Sequence, residues 1–509
     1  MNLLTDKWIP VRRLSGGRVI WLDLGALLTK HECYEICLPR DDLELAAVQL
    51  LICIAQVLFT PGDLKELVDR IRKPISDERF NQGIKGFKNW FELEHPEHPF
   101  MQVRGVKAKV PTPMDKLMPG LTGATNSCFV NEAGQADCLC GGCVAVALFN
   151  QAGNAPSFGG GFKAGLRGGA PITTLIQGRH LRETLWLNVL NTLDLEDYFP
   201  GFKNYAHDPP TWVNPIKAKS ETTASSIGLL RGLFWQPAHV ELCQSTSGGR
   251  CSCCGRSDAP IYQSFMKAKF PYRIKGIWPH PHSPRLLKFK KGATEEKFAA
   301  FTTNAPTWTR LSGFVVQLQV SKNQKEGHQP AAVVNQASKL LSRMPEKLQL
   351  AVGGYRNNQA SILERRHEIL ELNKGWNQNP GQIREIVNLG LGYKTALRKG
   401  LFDFSKGFKE IKGAGVNVQD KGEYQFYRLT DHAMQRVLAE AKFEIPRQLA
   451  SDKNILRETL KTHCLQIFNE QTHPYLNDPE LIKTMAVARR TLNKNLRELE
   501  PEKEEGGEP

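Results

Sequence analysis

The spacing of apolar residues indicates a mixed structure in the first 370 or so residues. Short β-like runs, such as 19–24 and 314–320, alternate with isolated helices and with long connections rich in glycine, proline and asparagine. A helix is expected to begin near Asp41 or Asp42, because acidic residues suit a helix N-terminus and apolar residues then recur at helical spacing. This texture predicts one large, irregular α+β domain over residues 1–374.

The pattern changes after residue 375, where apolar residues recur mainly every three or four positions from Ile383 onward. Further helical patterns cover 422–442, 448–470 and 478–499, with breaks at Gly413–Gly415, Pro446 and Pro474. Four amphipathic helices with shorter connections predict a C-terminal four-helix bundle over residues 375–499. The acidic, glycine-containing residues 500–509 predict a disordered tail.

The net charge of the chain indicates a class of binding partner. The 509 residues carry 67 Lys and Arg against 52 Asp and Glu, which gives a net charge of +15. Such a surplus favours a polyanionic partner, most commonly nucleic acid, although a merely basic enzyme has the same composition. The longest apolar stretch, 43–59, includes Glu44, Gln49 and Gln56 and falls short of a membrane span. With no leader pattern at the start, we expect a cytoplasmic protein without a membrane partner.

Two cysteine pairs have the spacing of metal-binding turns, Cys140-Gly-Gly-Cys143 and Cys251-Ser-Cys-Cys254. Glycines within or beside them (Gly141, Gly142, Gly255) are expected to give the turns backbone freedom. Four thiolates favour tetrahedral zinc with no open position, so one structural Zn²⁺ is predicted on Cys140, Cys143, Cys251 and Cys254. Two unligated turns are the alternative, because more than a hundred residues separate the pairs.

A glycine-dense stretch covers residues 157–169. It does not match G-x-x-x-x-G-K-[ST], so a phosphate-binding P-loop is not predicted. Glycines let backbone groups approach a ligand closely, and Lys163 and Arg167 are expected to add positive charge, which suits a nucleic-acid backbone or groove. A purely conformational loop remains the alternative.

Three amides follow an arginine in the segment 353–361. Asn357, Asn358 and Gln359 can donate to and accept from base edges, and a flat glutamine can insert between base pairs. The alternative is a capped turn before a helix over 362–372.

Basic residues alternate with aromatic ones at 265–270 and 288–291, which is typical either of phosphate contacts or of solvated strand edges. The sequence contains no G-x-S-x-G, no H-E-x-x-H and no acidic cluster typical of a two-metal nuclease, so no catalytic site is predicted. A zinc-dependent nucleic-acid enzyme and a free-standing RNA-binding protein remain the rival hypotheses.

Nine strings, in matching order, resemble the CasA family, the large subunit of type I-E CRISPR Cascade complexes. They are MNLL (1–4), WIPV (8–11), LPRDD (38–42), HPFMQ (98–102), GATN (123–126), FGGGFK (158–163), GLFWQPAH (232–239), WPHPHSP (278–284) and GGYRNNQASILERRH (353–367). The resemblance runs to about residue 499. It implies a non-catalytic antiviral subunit that recognises the protospacer-adjacent motif (PAM) in double-stranded DNA and starts R-loop formation, before a separate helicase–nuclease is recruited to cut.

The resemblance also implies roles for individual residues. The family's glycine loop falls on Ser157, Phe158, Gly159, Gly160 and Gly161, with Ser157 where relatives carry glycine. Its lysine finger for the minor groove falls on Lys269, and its glutamine wedge falls on Gln359, flanked by Asn357 and Asn358. The family's zinc ligands fall on the four cysteines named above.

The remaining implied contacts concern assembly and the displaced strand. Phe129, Val130 and Asn131 correspond to a loop that docks on the 5′ handle region of the guide RNA. The implied protein partners are the small-subunit dimer, the handle-binding subunit and the backbone subunits. We further hypothesise that the displaced DNA strand is held by a set of basic residues, Lys290, Lys291, Lys394, Arg398 and Lys399.

Overall fold

A computed structural model describes residues 1–121, 134–200, 208–341 and 347–501. The chain divides into two compact units. The N-terminal unit comprises Met1–Thr303, Gln317–Met344 and Gln349–Ile369. The C-terminal unit comprises Asn304–Val316, Pro345–Leu348 and Leu370–Pro509, so a short segment before residue 317 belongs with the C-terminal helices.

Helices and strands alternate irregularly through the chain. The helices are α1 (Leu24–Thr29), α2 (Asp41–Leu58), α3 (Leu64–Arg72), α4 (Asp77–Ile84), α5 (Gly141–Gly153), α6 (Leu181–Leu187), α7 (Thr192–Tyr198), α8 (Leu229–Leu233), α9 (Leu311–Val315), α10 (Ala332–Leu341), α11 (Pro380–Lys412), α12 (Val418–Glu440), α13 (Pro446–Thr472) and α14 (Ile482–Arg497). The strands are β1 (Ile9–Arg13), β2 (Ile20–Leu22), β3 (Tyr34–Ile36), β4 (Thr112–Pro113), β5 (Leu139–Cys140), β6 (Thr173–Ile176), β7 (Glu221–Thr223), β8 (His239–Leu242), β9 (Ile261–Tyr262), β10 (Ser264–Ala268), β11 (Arg273–Lys275), β12 (Arg285–Lys290), β13 (Ala293–Phe298), β14 (Glu326–Gln329), β15 (Leu348–Asn358) and β16 (Ser361–Leu372).

The strands form several small sheets rather than one large one. The three-stranded sheets have the orders β2-β1-β3, β4-β10-β8, β13-β12-β14 and β16-β15-β6, and the two-stranded ones pair β11 with β7 and β5 with β9. All the pairings with a defined register are antiparallel except β11–β7. This mixture of short sheets and helices confirms the predicted α+β class.

Helix α2 lies at the centre of the N-terminal unit. It begins at Asp41, as predicted, with Asp41, Asp42 and Glu44 in its first turn, where carboxylates complement the helix dipole. From Leu43 to Leu58 almost every side chain is buried, and the helix contacts α5. An apolar helix that is covered on all sides is a core element rather than a membrane span. Among the described residues, no helix is both long enough and apolar enough to cross a membrane.

Two local predictions are wrong. The run 314–320 is not a strand, because its first residues end helix α9 and the rest forms no strand. The alternative of a helix over 362–372 also fails, since these residues form strand β16 beside β15. Buried Ile362, Leu370 and Leu372 are separated by even numbers of residues, so they share one face of a strand. Hairpin pairing with β15 therefore overrides the local helical interpretation.

The four helices predicted in the C-terminal part are observed as α11 to α14. Helix α11 ends at Gly413, which has a φ of +73°, and α13 begins at Pro446 in the first helical position. Helix α11 contacts α12, α13 and α14. Its predicted apolar stripe is buried, including Ile383, Leu397 and Phe404.

Candidate metal centre and nucleic-acid interface

The two cysteine pairs meet in space. Cys140 is the last residue of β5, and Cys143 lies in the first turn of α5. Strand β5 pairs with β9, which follows the second cysteine turn, so the antiparallel contact Cys140↔Ile261 brings the distant segments together. The sulfur atoms of Cys140, Cys143, Cys251 and Cys254 all lie within 4.8 Å of one another. Four soft ligands at this spacing can hold a metal ion.

The backbone geometry of the Cys251–Cys254 turn supports the predicted role of Gly255. The N–H of Gly255 donates to the carbonyl of Cys251 at 3.0 Å, and Gly255 has a φ of +75°, as the predicted role of this glycine requires. Gly141 and Gly142 are different, because they are helical residues of α5 and are buried. A Cβ atom on Gly142 would lie 2.7 Å from the carbonyl oxygen of Trp8. Gly142 therefore permits close packing, and the prediction of turn freedom is wrong for this pair.

The charge balance of the cluster also fits a bound cation. Hydrogen bonding from Cys140 lowers the pKa of the Cys251 thiol. The pKa of Cys143 is raised by hydrogen bonding, first with Cys140 and then with the other cysteines, and also by burial. Cys140, Cys143 and Cys251 are buried and Cys254 is partly buried, so four thiolates here would repel one another strongly and a divalent cation is the natural replacement for their protons. Four thiols would fill a tetrahedral shell around such an ion, as they do in structural sites.

Three predicted DNA-contacting segments converge on one surface of the N-terminal unit. The ammonium of Lys269, just beyond β10, donates to the carbonyl oxygen of Gly160 at 2.8 Å. A Cβ atom on Gly161 would lie 3.2 Å from that ammonium. On its other side, the loop approaches the β15–β16 turn, because a Cβ atom on Gly159 would lie 3.2 Å from Cβ of Ala360. The glycine loop thus lies between Lys269 and the residue that follows Gln359.

The glycines of this loop are required by its backbone conformation. Gly159, Gly160 and Gly161 have φ values of +79°, +56° and +87°, a run of left-handed residues that other amino acids would adopt only with strain. Gly160 and Gly161 are exposed. Ser157 accepts a hydrogen bond from the N–H of Gly159 at 3.4 Å, so its hydroxyl stabilises the start of the loop.

Phe158 anchors the loop instead of facing solvent. Its ring packs edge-on to Phe162, with the ring centroids 5.5 Å apart, and lies 6.0 Å from Phe265 of β10. The Lys267 ammonium lies 5.3 Å from the centre of the Phe158 ring. Burial lowers the pKa of Lys267, whose ammonium also donates to the Thr112 hydroxyl at 3.2 Å. Of the two lysines on this segment, Lys269 is therefore the exposed one.

The β15–β16 turn presents its amides to solvent. Gln359 has a φ of +52° and is exposed, as is Asn358. The Asn357 side chain donates to the carbonyl of Gln359 at 2.6 Å and so closes the turn. Below the turn, buried Tyr355 donates to Asp42 at 2.7 Å. An exposed polar tip on a buried, hydrogen-bonded base suits insertion into a groove.

The prediction that Arg167 supplies positive charge to a nucleic-acid ligand is wrong, because Arg167 is buried. Its side chain is 4% exposed and donates to the hydroxyls of Thr173 at 2.9 Å and Ser283 at 2.7 Å, and also to the side chain of Asn154. Burial lowers the pKa of Arg167 to about 9. Arg167 therefore ties together the two ends of the segment that carries the glycine loop, whereas Lys163 is exposed.

Comparison with known proteins decides the family. The family described as CRISPR-associated protein Cse1 matches residues 2–467. This chain belongs to the Cse1 family. A curated relative, CRISPR-associated protein CasA/Cse1 of Thermus thermophilus, is 24% identical over 447 residues, which cover 83% of this chain and 80% of that protein. The predicted resemblance to CasA is confirmed.

Solved structures share the fold of this Cse1-family protein. The crystal structure of Thermobifida fusca Cse1 matches with a TM-score of 0.74 at 16% identity, over 98% of this chain and 97% of that one. A chain in a structure described as a CRISPR RNA-guided surveillance complex matches with a TM-score of 0.69 at 18% identity, over 97% of this chain and 99% of that one.

The other predicted contact residues of this Cse1-family chain have mixed surroundings. Lys291 is exposed at the β12–β13 turn, with a φ of +50°, and Lys290 lies 3.8 Å from Glu295. Three predicted contacts on α11 already have partners. Lys394 lies 3.8 Å from Glu423, Arg398 pairs with Asp420 and Glu423, and Lys399 donates to Asn495 at 3.0 Å. Phe129, Val130 and Asn131 lie outside the described residues.

Sequence analysis did not find the residues that anchor these segments. Asp42, Asn150 and Tyr355 form one buried hydrogen-bonded group, with Asn150 donating to the Tyr355 hydroxyl at 2.7 Å. Asp42 and Tyr355 both lie in strings that carry the family resemblance, but no local pattern relates them.

Proposed function

We propose that this protein is the non-catalytic large subunit of a type I-E Cascade complex and reads the PAM in double-stranded DNA. Membership of the Cse1 family and the structural likeness to a chain of an RNA-guided surveillance complex support this proposal. Its partners would be the guide RNA and the other Cascade subunits, including the small-subunit dimer, the handle-binding subunit and the backbone subunits. The setting would be antiviral defence in the cytoplasm.

The observation that carries the proposal is the convergence of the glycine loop, Lys269 and the Gln359 turn. The exposed, side-chain-free backbone of Gly160 and Gly161 can approach the floor of a minor groove. An ammonium has three donors, so Lys269 can keep its bond to Gly160 and still donate to purine N3 or pyrimidine O2. Because these acceptors distinguish A·T from T·A poorly, such a reader tolerates several related motifs.

Gln359 would act after the glycine loop and Lys269 have bound the motif. We assign it as a wedge that inserts beneath the motif, with Asn357 and Asn358 beside it. Unstacking one base step costs a few kcal/mol, which groove contacts and the inserted amide offset. After that, guide pairing replaces DNA pairing almost evenly, so protein contacts decide whether the R-loop extends.

The rest of the molecule would support this reaction. We assign the cysteine cluster as a structural Zn²⁺ site and residues 129–131 as the loop that docks on the guide's 5′ handle. The proposed N-terminal domain (1–374) reads DNA, and helices α11 to α14 form the C-terminal four-helix bundle (375–499), followed by a disordered tail (500–509).

Lys291 is the better candidate for holding the displaced strand, because Lys290, Lys394 and Arg398 each have a carboxylate partner, Glu295 for Lys290 and α12 carboxylates for the other two. Lys399 already donates to Asn495. Cutting is assigned to a helicase–nuclease recruited after R-loop formation.

The test is a binding selection on duplexes with a randomised flanking motif, using the complex with and without this subunit. We expect motif enrichment only when the subunit is present. Equal enrichment in both arms, or none in either arm, would refute the proposed reading function.

A further inference from the structure

Helix α14 carries a row of cations on its outer face. Lys483, Arg490, Lys494 and Arg497 follow one another at spacings of seven, four and three residues, so they lie along one side of the helix. All four are exposed. The helix contains no acidic residue between Ile482 and Arg497. We call these four residues the α14 cation stripe.

The opposite face of α14 is fixed against α11. Thr484, Ala488, Leu492 and Leu496 are buried, and at 100° per residue this row lies on the other side of the helix from the cations. A Cβ atom on Gly400 of α11 would lie 2.9 Å from Cβ of Leu492, and one on Gly407 would lie 2.6 Å from the Thr484 methyl group. Such close packing holds the stripe facing outward.

The stripe is not neutralised. Within the four described ranges of the chain, none of its members forms an ion pair, whereas Lys412 of α11 pairs with Asp478 and Glu480. Arg489, which lies off the stripe, donates to Asn469 of α13. Four cations along one helix face, none of them in an ion pair with any described residue, repel one another, so a polyanion that bridges them would gain from all four.

We propose that the α14 cation stripe binds the phosphate backbone of nucleic acid. Fourteen residues of α-helix rise about 21 Å, which spans roughly six nucleotides at 3.4 Å each. A membrane surface is disfavoured, because the apolar face of α14 is buried against α11 and not available for insertion. This inference concerns a surface separate from the motif-reading residues and rests on the proposed function only in choosing nucleic acid as the polyanion.

The test is a fourfold variant, Lys483→Gln, Arg490→Gln, Lys494→Gln and Arg497→Gln, in the full-length chain. Its binding to a labelled 30-nucleotide single strand and to the matching duplex is measured by fluorescence anisotropy between about 50 and 200 mM salt. We expect at least about tenfold weaker binding at the lowest salt. The slope of log K against log salt should become less negative by about 0.7 per lost contact for the single strand and about 0.9 for the duplex.

The matched control removes the same number of exposed charges from the α12 side, where acidic residues alternate with basic ones. It carries Lys421→Gln, Arg428→Gln, Arg436→Gln and Lys442→Gln. The proposal would be overturned if the salt slope changed equally in the two variants. It would also be overturned if the stripe variant lost as much affinity for polyglutamate as for nucleic acid. The double variant Arg490→Gln and Lys494→Gln repeats the test with less perturbation and should give about half the change in slope.

Assembled complexes separate this inference from the motif-reading proposal. The stripe variant should bind motif-containing and motif-free duplexes more weakly by the same factor. A selective loss on motif-containing duplexes would contradict the stripe assignment. If the wild-type complex did not distinguish motif-containing from motif-free duplexes, the proposed reading function would be refuted. The binding of the stripe variant to the labelled single strand would still test the stripe.

Discussion

The ammonium group of Lys269 donates a hydrogen bond to the carbonyl oxygen of Gly160 at 2.8 Å. This bond joins the segment after β10 to the exposed top of the glycine loop, although 109 residues separate the two partners. The lysine is therefore held near the loop before any ligand arrives, which lowers the entropy cost of using it as a donor to DNA.

Lys269→Ala should weaken binding to motif-containing duplexes by about 1–3 kcal/mol and leave motif-free binding nearly unchanged, because a minor-groove donor discriminates between base pairs. Competition binding with the two duplexes measures the difference. Lys275→Ala is the control, since Lys275 is an exposed lysine of β11 that pairs with Glu221 at 2.6 Å. An equal loss on both duplexes would reassign Lys269 to a phosphate contact.

Gln359→Ala should slow R-loop formation on a fully paired duplex by about tenfold or more, because the cost of unstacking is no longer offset. A target with a mismatch at its first pair needs no wedge and should open at the wild-type rate. Permanganate reactivity of unpaired thymines follows both reactions. Gln349→Ala, on an exposed position of β15, is the control. Equal slowing on both targets would refute the wedge role.

Gly161→Ala should impair motif-dependent binding more than Gly168→Ala does. Both glycines have positive φ values, +87° and +78°, so both substitutions strain the backbone by roughly 1 kcal/mol. Only the Cβ atom at Gly161 meets Lys269, at 3.2 Å, whereas nothing lies within 4 Å of one at Gly168. Equal effects of the two variants on duplex affinity would show that the contact with Lys269 is unimportant.

Tyr355→Phe should destabilise the protein by about 1–2 kcal/mol, because Asp42 and Asn150 would each lose a buried hydrogen-bond partner. Urea unfolding measures the loss. The control is Tyr424→Phe, whose side chain is 63% exposed and should be neutral. If unfolding midpoints were the same for both variants, the buried group would not hold the hairpin as described.

Cys140→Ser should release one tightly bound metal ion per chain and lower stability by an appreciable part of the roughly 10 kcal/mol or more that closed thiolate sites supply. Elemental analysis of the purified protein and thermal unfolding measure the two effects. Cys33→Ser, outside the cluster, serves as the control. Retention of stoichiometric metal by Cys140→Ser would argue against the four-thiolate site, and a metal other than zinc would correct its identity.

Local pattern was sufficient for the long helices and for the metal-ligand spacing of the cysteine pairs. Helix α2 could be predicted from its first acidic turn, and the limits of α11 and α13 from Gly413 and Pro446, because helix periodicity and caps depend on near neighbours in sequence. The thiol spacing likewise indicates two pairs of ligands that can hold an ion, although the first pair lies at the start of helix α5 and not in a free turn.

Contacts between distant residues were beyond the reach of such patterns. Strand β16 has a composition compatible with a helix, and it is a strand because it pairs with β15, which is held in turn by the distant strand β6. Arg167 and Lys163 are similar in sequence context, yet one is buried among hydroxyls and the other is exposed. The Tyr355 hydroxyl donates to Asp42, which lies 313 residues earlier in the chain. Only the packing of the folded chain places this buried acceptor within reach of the hydroxyl.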